Sequence, residues 1–149
     1  MNYVTNKIET SESLVLSVLA ELKNGQIREA VNYFSDQFKF TDYGIGVEVD
    51  GKERLTEFFQ KIRELYPDSV HTTETTFVSR EDVITHWTVR NTISEPFFGA
   101  QTRKVPVVIH GVSVVRTEDG KITRWSDYYD GLTARRTALG AYFTDWVEL

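Results

Sequence analysis

The run Trp125-Ser126-Asp127-Tyr128-Tyr129 sets one carboxylate between two aromatic residues, each two positions away. In an extended strand alternate side chains share a face, so Trp125, Asp127 and Tyr129 point one way while Arg124, Ser126, Tyr128 and Asp130 point the other. A carboxylate among aromatic rings loses hydration. Its pKa then rises toward the range of a general acid or base, unless a cation restores the charged form. Phe38-Lys39-Phe40-Thr41-Asp42 repeats the arrangement, with Phe38, Phe40 and Asp42 on one face. Between Val83 and Ile93, His86, Thr88, Arg90 and Thr92 share a face, and Val83, Trp87 and Val89 line the opposite one. Arg90 is the cation such a site calls for. The expectation is that Asp42, Arg90 and Asp127 converge on a cavity lined by Phe38, Phe40, Trp125 and Tyr129, with Thr92 and His86 as further substrate contacts. A polar cluster inside an apolar cup suits a small hydrophobic molecule. An Asp–Arg pair that only fixes strand register leaves the same trace in a sequence.

These residues need long strands to carry them, and helices to close one side. Ser11 or Ser13 is placed to cap a helix whose Leu14, Val15, Val18, Leu19 and Leu22 form one apolar stripe, and Asn24-Gly25 ends it. A short second helix carries Ile27, Ala30, Val31, Tyr33 and Phe34, after which Phe38 to Tyr43 alternates as a strand. Asp50-Gly51 turns the chain into a third helix with Leu55, Phe58, Phe59, Ile62 and Leu65, which stops at Tyr66-Pro67. Beyond it, Val70–Ser79, Val83–Ile93, Val105–Arg116 and Lys121–Asp130 are rich in β-branched and aromatic residues. Arg80-Glu81-Asp82 and Glu118-Asp119-Gly120 supply hairpin turns. Helices first and a meander of long antiparallel strands after is the order of an α+β fold, a curved sheet wrapped around N-terminal helices. Glu95 to Ala100 reads as a turn-rich loop placed to act as a lid or simply to connect two strands, and Leu139, Tyr142, Phe143 and Trp146 form a packing stripe in the tail.

Composition narrows the function. The chain has 149 residues, enough for one domain over 1–149 with a core at about 14–139 and an aromatic tail at 140–149. A formal net charge of -5 argues against nucleic acid and anionic membrane as partners. The absence of cysteine excludes disulfides, thiolate ligands and thiol nucleophiles. His71, His86 and His110 are not at metal-ligand spacing, so no metal is expected. The first residues carry no secretory cleavage pattern and no run is long enough to span a membrane, so a cytoplasmic protein is expected.

The stretches Asn32 to Asp36, Phe40-Thr41-Asp42, His86 to Arg90, His110-Gly111-Val112 and above all Asp119 to Asp130 resemble the nuclear transport factor two-like superfamily. Within it they are most similar to the SnoaL-like polyketide cyclases and the limonene epoxide hydrolases. The resemblance implies a cone-shaped mixed sheet closed by helices, a homodimer and no cofactor. It implies an acid–base role for Asp127 in a cyclase, isomerase or dehydratase type of reaction, with His110 and Arg90 as candidate donors and Asp42 as a second acid or base. His110 also shares a face with Val108, Val112 and Val114, as a core histidine would. The hydrolases have a second aspartate where this chain has Thr92, and a Tyr and an Asn where it has Phe40 and Asp42. A hydrolase here would therefore run with an altered triad. The reading from a different class is a ligand-binding or dimerisation module without chemistry.

Overall fold

In the computed structural model, which describes residues 10–95 and 103–131, the first helix begins at Thr10. The Thr10 hydroxyl accepts from the Ser13 backbone N–H at 3.1 Å, and the Ser13 hydroxyl returns a bond to the Thr10 carbonyl at 2.8 Å. Thr10, not Ser11 or Ser13, is therefore the cap. The helices are α1 (Ser11–Lys23), α2 (Ile27–Asn32) and α3 (Lys52–Leu65), and the strands are β1 (Phe34–Asp42), β2 (Val47–Val49), β3 (Val70–Ser79), β4 (Asp82–Glu95), β5 (Arg103–Glu118) and β6 (Lys121–Tyr129). The expected α+β order holds, with two local differences. Phe34 opens β1 instead of closing α2, and the three-residue β2 was not anticipated. Most of the expected loop beyond Glu95 and the aromatic tail lie outside the described residues.

The six strands form one sheet in the order β2-β1-β6-β5-β4-β3. Four of the five pairings are antiparallel, and β1 lies parallel to β6. The sheet is therefore mixed, and its parallel pair joins the first strand to the last. The β5–β6 turn uses Asp119 at φ 50° and Gly120 at φ 72°, the two positive angles of a hairpin turn that Asp-Gly accommodates.

Among the described residues, the helices pack on one face of the sheet. Val15, Val18, Ile27, Ala30, Val31 and Leu55 pack with Phe34, Phe40, Val83, Val115 and Trp125 of the sheet in one buried cluster. Cross-strand register then fixes which residues line this inner face. Val83, Val115 and Trp125 make one row; Thr85, Ser113, Asp127 and Asp42 the next; Trp87, Gly111 and Tyr129 the third. Further rows are Val89 with Ile109, Asn91 with Val107 and Ile93 with Val105, and Tyr66 at the end of α3 packs against the Ile93–Val107 cluster.

Candidate active site

Asp127 and Asp42 face each other across the parallel β1–β6 pair, in direct register. Each is held by a different set of donors. Asp127 Oδ1 accepts from the Ser113 hydroxyl at 2.5 Å and from the Trp125 indole at 2.7 Å. Ser113 in turn accepts from the Trp87 indole at 2.8 Å, so two tryptophans and a serine fix one carboxylate oxygen. Among the described residues, Oδ2 of Asp127 takes no hydrogen bond. Asp42 accepts from the Tyr129 hydroxyl at 3.1 Å through Oδ2 and from the Ile45 backbone N–H at 3.1 Å through Oδ1. The Tyr43 N–H donates to the Asp127 carbonyl at 2.9 Å, which ties the end of β1 to β6 beside the site.

Burial sets the electrostatics. Desolvation pushes the Asp127 carboxyl up to about 6, against the lowering effect of its Ser113 and Trp125 bonds, and the charge of Asp42 adds to the rise. Asp42 is 7% exposed; its burial also raises it above the usual carboxylate value, opposed by the Tyr129 bond and the backbone N–H groups of Ile45 and Gly44. Tyr129 is raised by burial and then by the neighbouring Asp42 charge, so its phenol stays protonated and remains a donor.

The walls of the site are aromatic and closely fitted. Trp87 lies 5.7 Å from Tyr129 and 5.5 Å from His71, centroid to centroid. A Cβ on Gly111 would stand 2.3 Å from the Trp87 ring, and one on Gly44 would stand 2.1 Å from the Tyr129 ring. Those two positions need glycine so that the rings can lie against the backbone.

Sequence reasoning brought the carboxylates and their aromatic partners together but misplaced the cation. Arg90 pairs with Val108 on the outer face of the sheet and is exposed, so it stands on the other side of the backbone from Asp127. His86, paired with Val112, is exposed on that same outer face. So is His110, where Nδ1 lies 3.2 Å from the Thr88 hydroxyl. Thr92 pairs with Pro106 there and its backbone N–H donates to Asp68 at 3.2 Å. None of these four meets the carboxylates. Phe40 and Phe38 are core residues: Phe40 packs on Phe58 and Phe59 at 5.3 and 5.5 Å, and Phe38 on Phe34 at 5.1 Å. Trp125 and Tyr129 do line the site, as donors to the carboxylates. The residues missed were Ser113 and Trp87, which complete the hydrogen-bond chain to Asp127. Trp87, on β4, sits one position from His86. The signal was the apolar face of β4, because a cup turns its apolar wall inward and carries its few polar groups on that wall.

Phe38 also lines a separate groove of about 480 Å³ with Lys39, Glu48, Val49, Asp50 and Arg54. Its charges neutralise one another, Lys39 with Glu48 at 3.2 Å and Arg54 with Asp50 at 2.6 Å, and it contains neither carboxylate. No group of three or more metal-ligating side chains occurs among the described residues. Nor is any described helix long and apolar enough to cross a membrane.

A helix-lined cup on a curved mixed sheet is the nuclear transport factor two-like architecture, and solved structures share it. A protein from Shewanella denitrificans, provisionally assigned as a SnoaL-like polyketide cyclase, superposes with a TM-score of 0.74 at 17% identity, covering 87% of this chain and 97% of its own. A Catenulispora acidiphila protein of ketosteroid isomerase-like fold, crystallised with trimethylamine, gives 0.71 at 18% identity, over 84% and 91% of the two chains. AclR of Streptomyces galilaeus, provisionally a hydroxylase, gives 0.69 at 19%, over 89% and 96%. No match was found among curated proteins. The chain belongs to the SnoaL-like domain family, whose model matches residues 15–125. The match ends two positions before Asp127, so the carboxylate rests on the geometry above and not on the family model.

Proposed function

We propose that this protein is an acid–base enzyme of the cyclase or isomerase type acting on a small hydrophobic carbonyl compound, with residues 1–149 forming one SnoaL-like domain. Asp127 is the base and, once protonated, the acid. Its Oδ1 is anchored by Ser113 and Trp125, and Oδ2 is left to meet a substrate C–H. That one-sided anchoring is the observation that carries the reading. A carboxyl raised to about 6 is half ionised at pH 6 and mostly ionised at pH 7, where it can take a proton and give it back. The step removes a proton from carbon next to a carbonyl. The electron pair passes into an enolate, and the same proton is returned to carbon or oxygen after ring closure or a double-bond shift. Tyr129, held protonated, is the group able to turn its hydroxyl from Asp42 to hydrogen-bond the developing oxyanion. No part of this step needs a cofactor. With Arg90 on the outer face, the epoxide hydrolase reading loses its second member as well as the aspartate that Thr92 replaces.

Titration of the Asp127 carboxyl by carbon NMR tests the arrangement without a substrate. The expected midpoint is near 6 in the native protein, and lower in Asp42→Asn, because the charge of Asp42 is one cause of the rise. A midpoint near 4 in the native protein would remove the electrostatic basis of the assignment.

We further propose a homodimer through the outer face of the sheet, where Phe77 (61% exposed) pairs across the strands with Ile84, and Val108 and Tyr128 are also exposed. Light scattering after gel filtration should give twice the chain mass; a monomer at micromolar concentration would exclude the dimer.

A further inference from the structure

Three hydrogen bonds run in one direction toward Asp127. The Trp87 indole donates to Ser113 Oγ at 2.8 Å, the Ser113 hydroxyl donates to Asp127 Oδ1 at 2.5 Å, and the Trp125 indole donates to the same oxygen at 2.7 Å. Chemistry sets that direction. An indole N–H can only donate, whereas a hydroxyl carries one proton and two lone pairs and can face either way. Because Trp87 donates to it, Ser113 must accept there, and its own proton goes to the carboxylate. Among the described residues the neighbouring hydroxyl in register, Thr85, makes no hydrogen bond. Each carboxylate oxygen offers two lone pairs, and both on Oδ1 are taken. The backbone aims the first donor. Gly111 lies opposite Trp87, and a Cβ there would stand between 2.3 and 2.9 Å from the indole edge next to the N–H. Glycine lets the ring lie in that position, with Nε1 directed at Ser113 two residues on.

We infer that Trp87 is a positioning residue: by donating to Ser113 it holds the serine proton on Asp127 Oδ1, and so confines the proton that Asp127 takes up to Oδ2, the oxygen open to the substrate. Without the Trp87 N–H, Ser113 is free to turn a lone pair to Asp127 and its own proton to Thr85 beside it. The acid proton can then settle on Oδ1, facing the serine and not the substrate. What the proton is used for rests on the acid–base reading; its place on the carboxyl does not. The titratable groups around Asp127 are Asp42 on β1 and Tyr129 on β6, with Tyr66 after α3 near Tyr129 and His71 on β3 across the Trp87 ring. None of them donates to Oδ1. They set how strongly the carboxyl resists ionisation, while Trp87 and Ser113 set which oxygen takes the proton.

Infrared difference spectra between about pH 4 and pH 7.5, with those of Asp127→Asn subtracted, isolate the C=O stretch of protonated Asp127. A carbonyl that accepts two hydrogen bonds absorbs at lower frequency than one that accepts none. The native band should therefore lie at the low end of the carboxylic acid range and move upward in both Trp87→Phe and Ser113→Ala. Carbon NMR of Asp127 reads a second consequence. The Ser113 bond lowers the Asp127 midpoint, so its loss in Ser113→Ala should raise that midpoint by about one pH unit. Trp87→Phe should raise it less, and the double variant should show no rise beyond Ser113→Ala, because Trp87 acts through the serine. Phenylalanine keeps a ring against Gly111 and Tyr129. If that variant does not fold, the indole nitrogen shift of Trp87 supplies the measurement: it should follow the Asp127 midpoint in the native protein and lose that response in Ser113→Ala. A high-frequency band in the native protein, a midpoint unchanged in Trp87→Phe, a Trp87 effect that persists in the Ser113→Ala background, or an indole shift indifferent to Asp127 would each overturn the inference. A native midpoint near 4 would count against the acid–base reading alone, since the band position and the differences between variants decide the inference whatever the native value.

Discussion

Asp127→Asn lowers turnover by about 10²–10⁴-fold, the range in which a positioned acid–base group contributes. The substitution isolates ionisation from packing. Asparagine keeps an oxygen for the Ser113 hydroxyl and the Trp125 indole, so both anchoring bonds survive, but it can neither take nor return a proton. On the proposed role of Asp127, the rate of the native protein should rise with pH through about 6 and then level, because the base must be ionised. The stability effect runs in the opposite direction. A carboxyl raised from 3.8 to about 6 resists ionisation in the folded state, so the native protein carries a penalty that is absent below about pH 4 and complete above about 6. Its size is on the order of 3 kcal/mol. The variant should therefore melt at or above the native temperature at pH 7.5, with the two converging at pH 4. Turnover measured on polyketide and enone panels, beside melting curves at both pH values, checks the pair. Retained turnover, or a large fall in melting temperature at pH 7.5, would refute Asp127 as the base held in this way.

Phe34→Ala should cost about 3–5 kcal/mol of folding stability, read as a lower midpoint in urea. The phenyl ring is completely buried, 5.1 Å from Phe38 and 6.0 Å from Trp125, at the point where α2 gives way to β1. The register of β1 against β6 is interrupted between Phe34 and Lys39, so the backbone there cannot easily close over a cavity. The damage should reach the site, because Trp125 rests on Phe34 and holds Asp127. A loss under about 1 kcal/mol would mean that the cluster collapses around the missing ring.

The sequence made the helices and the four long strands legible because their apolar periods are strong and their turns carry Gly, Pro and Asp. The missed β2 is three residues long, too short for alternation to register. In β1, helical and extended readings of Phe34 compete, since Tyr33 and Phe34 also suit the apolar stripe of α2. At the site, the alternation Trp125-Asp127-Tyr129 was enough to place Asp127, and Phe40-Asp42 enough to place its neighbour. The error on β4 has a different origin. Alternation separates two faces of a strand without saying which one the helices cover, and the face with Arg90, His86 and Thr92 looked richer in chemistry. The inner face is the one with Val83, Trp87 and Val89, and its polar groups, Thr85 and Asn91, are small and uncharged. Ser113 could not be singled out at all, because its importance comes from lying between Trp87 and Asp127 on separate strands.

The parallel contact between β1 and β6 also dictates when the site can exist during synthesis. Asp42 leaves the ribosome early, but its partner strand is the last of the six, and everything from β2 to β5 must be made before the two carboxylates can meet. Pairings this distant along the chain pay loop-closure entropy before they are rewarded, which slows folding. A nascent chain lacking β6 would expose the inner edge of β5 and the unpaired edge of β1, two strand edges open to other chains. The final strand thus joins the two halves of the sheet and brings the two carboxylates together in one event.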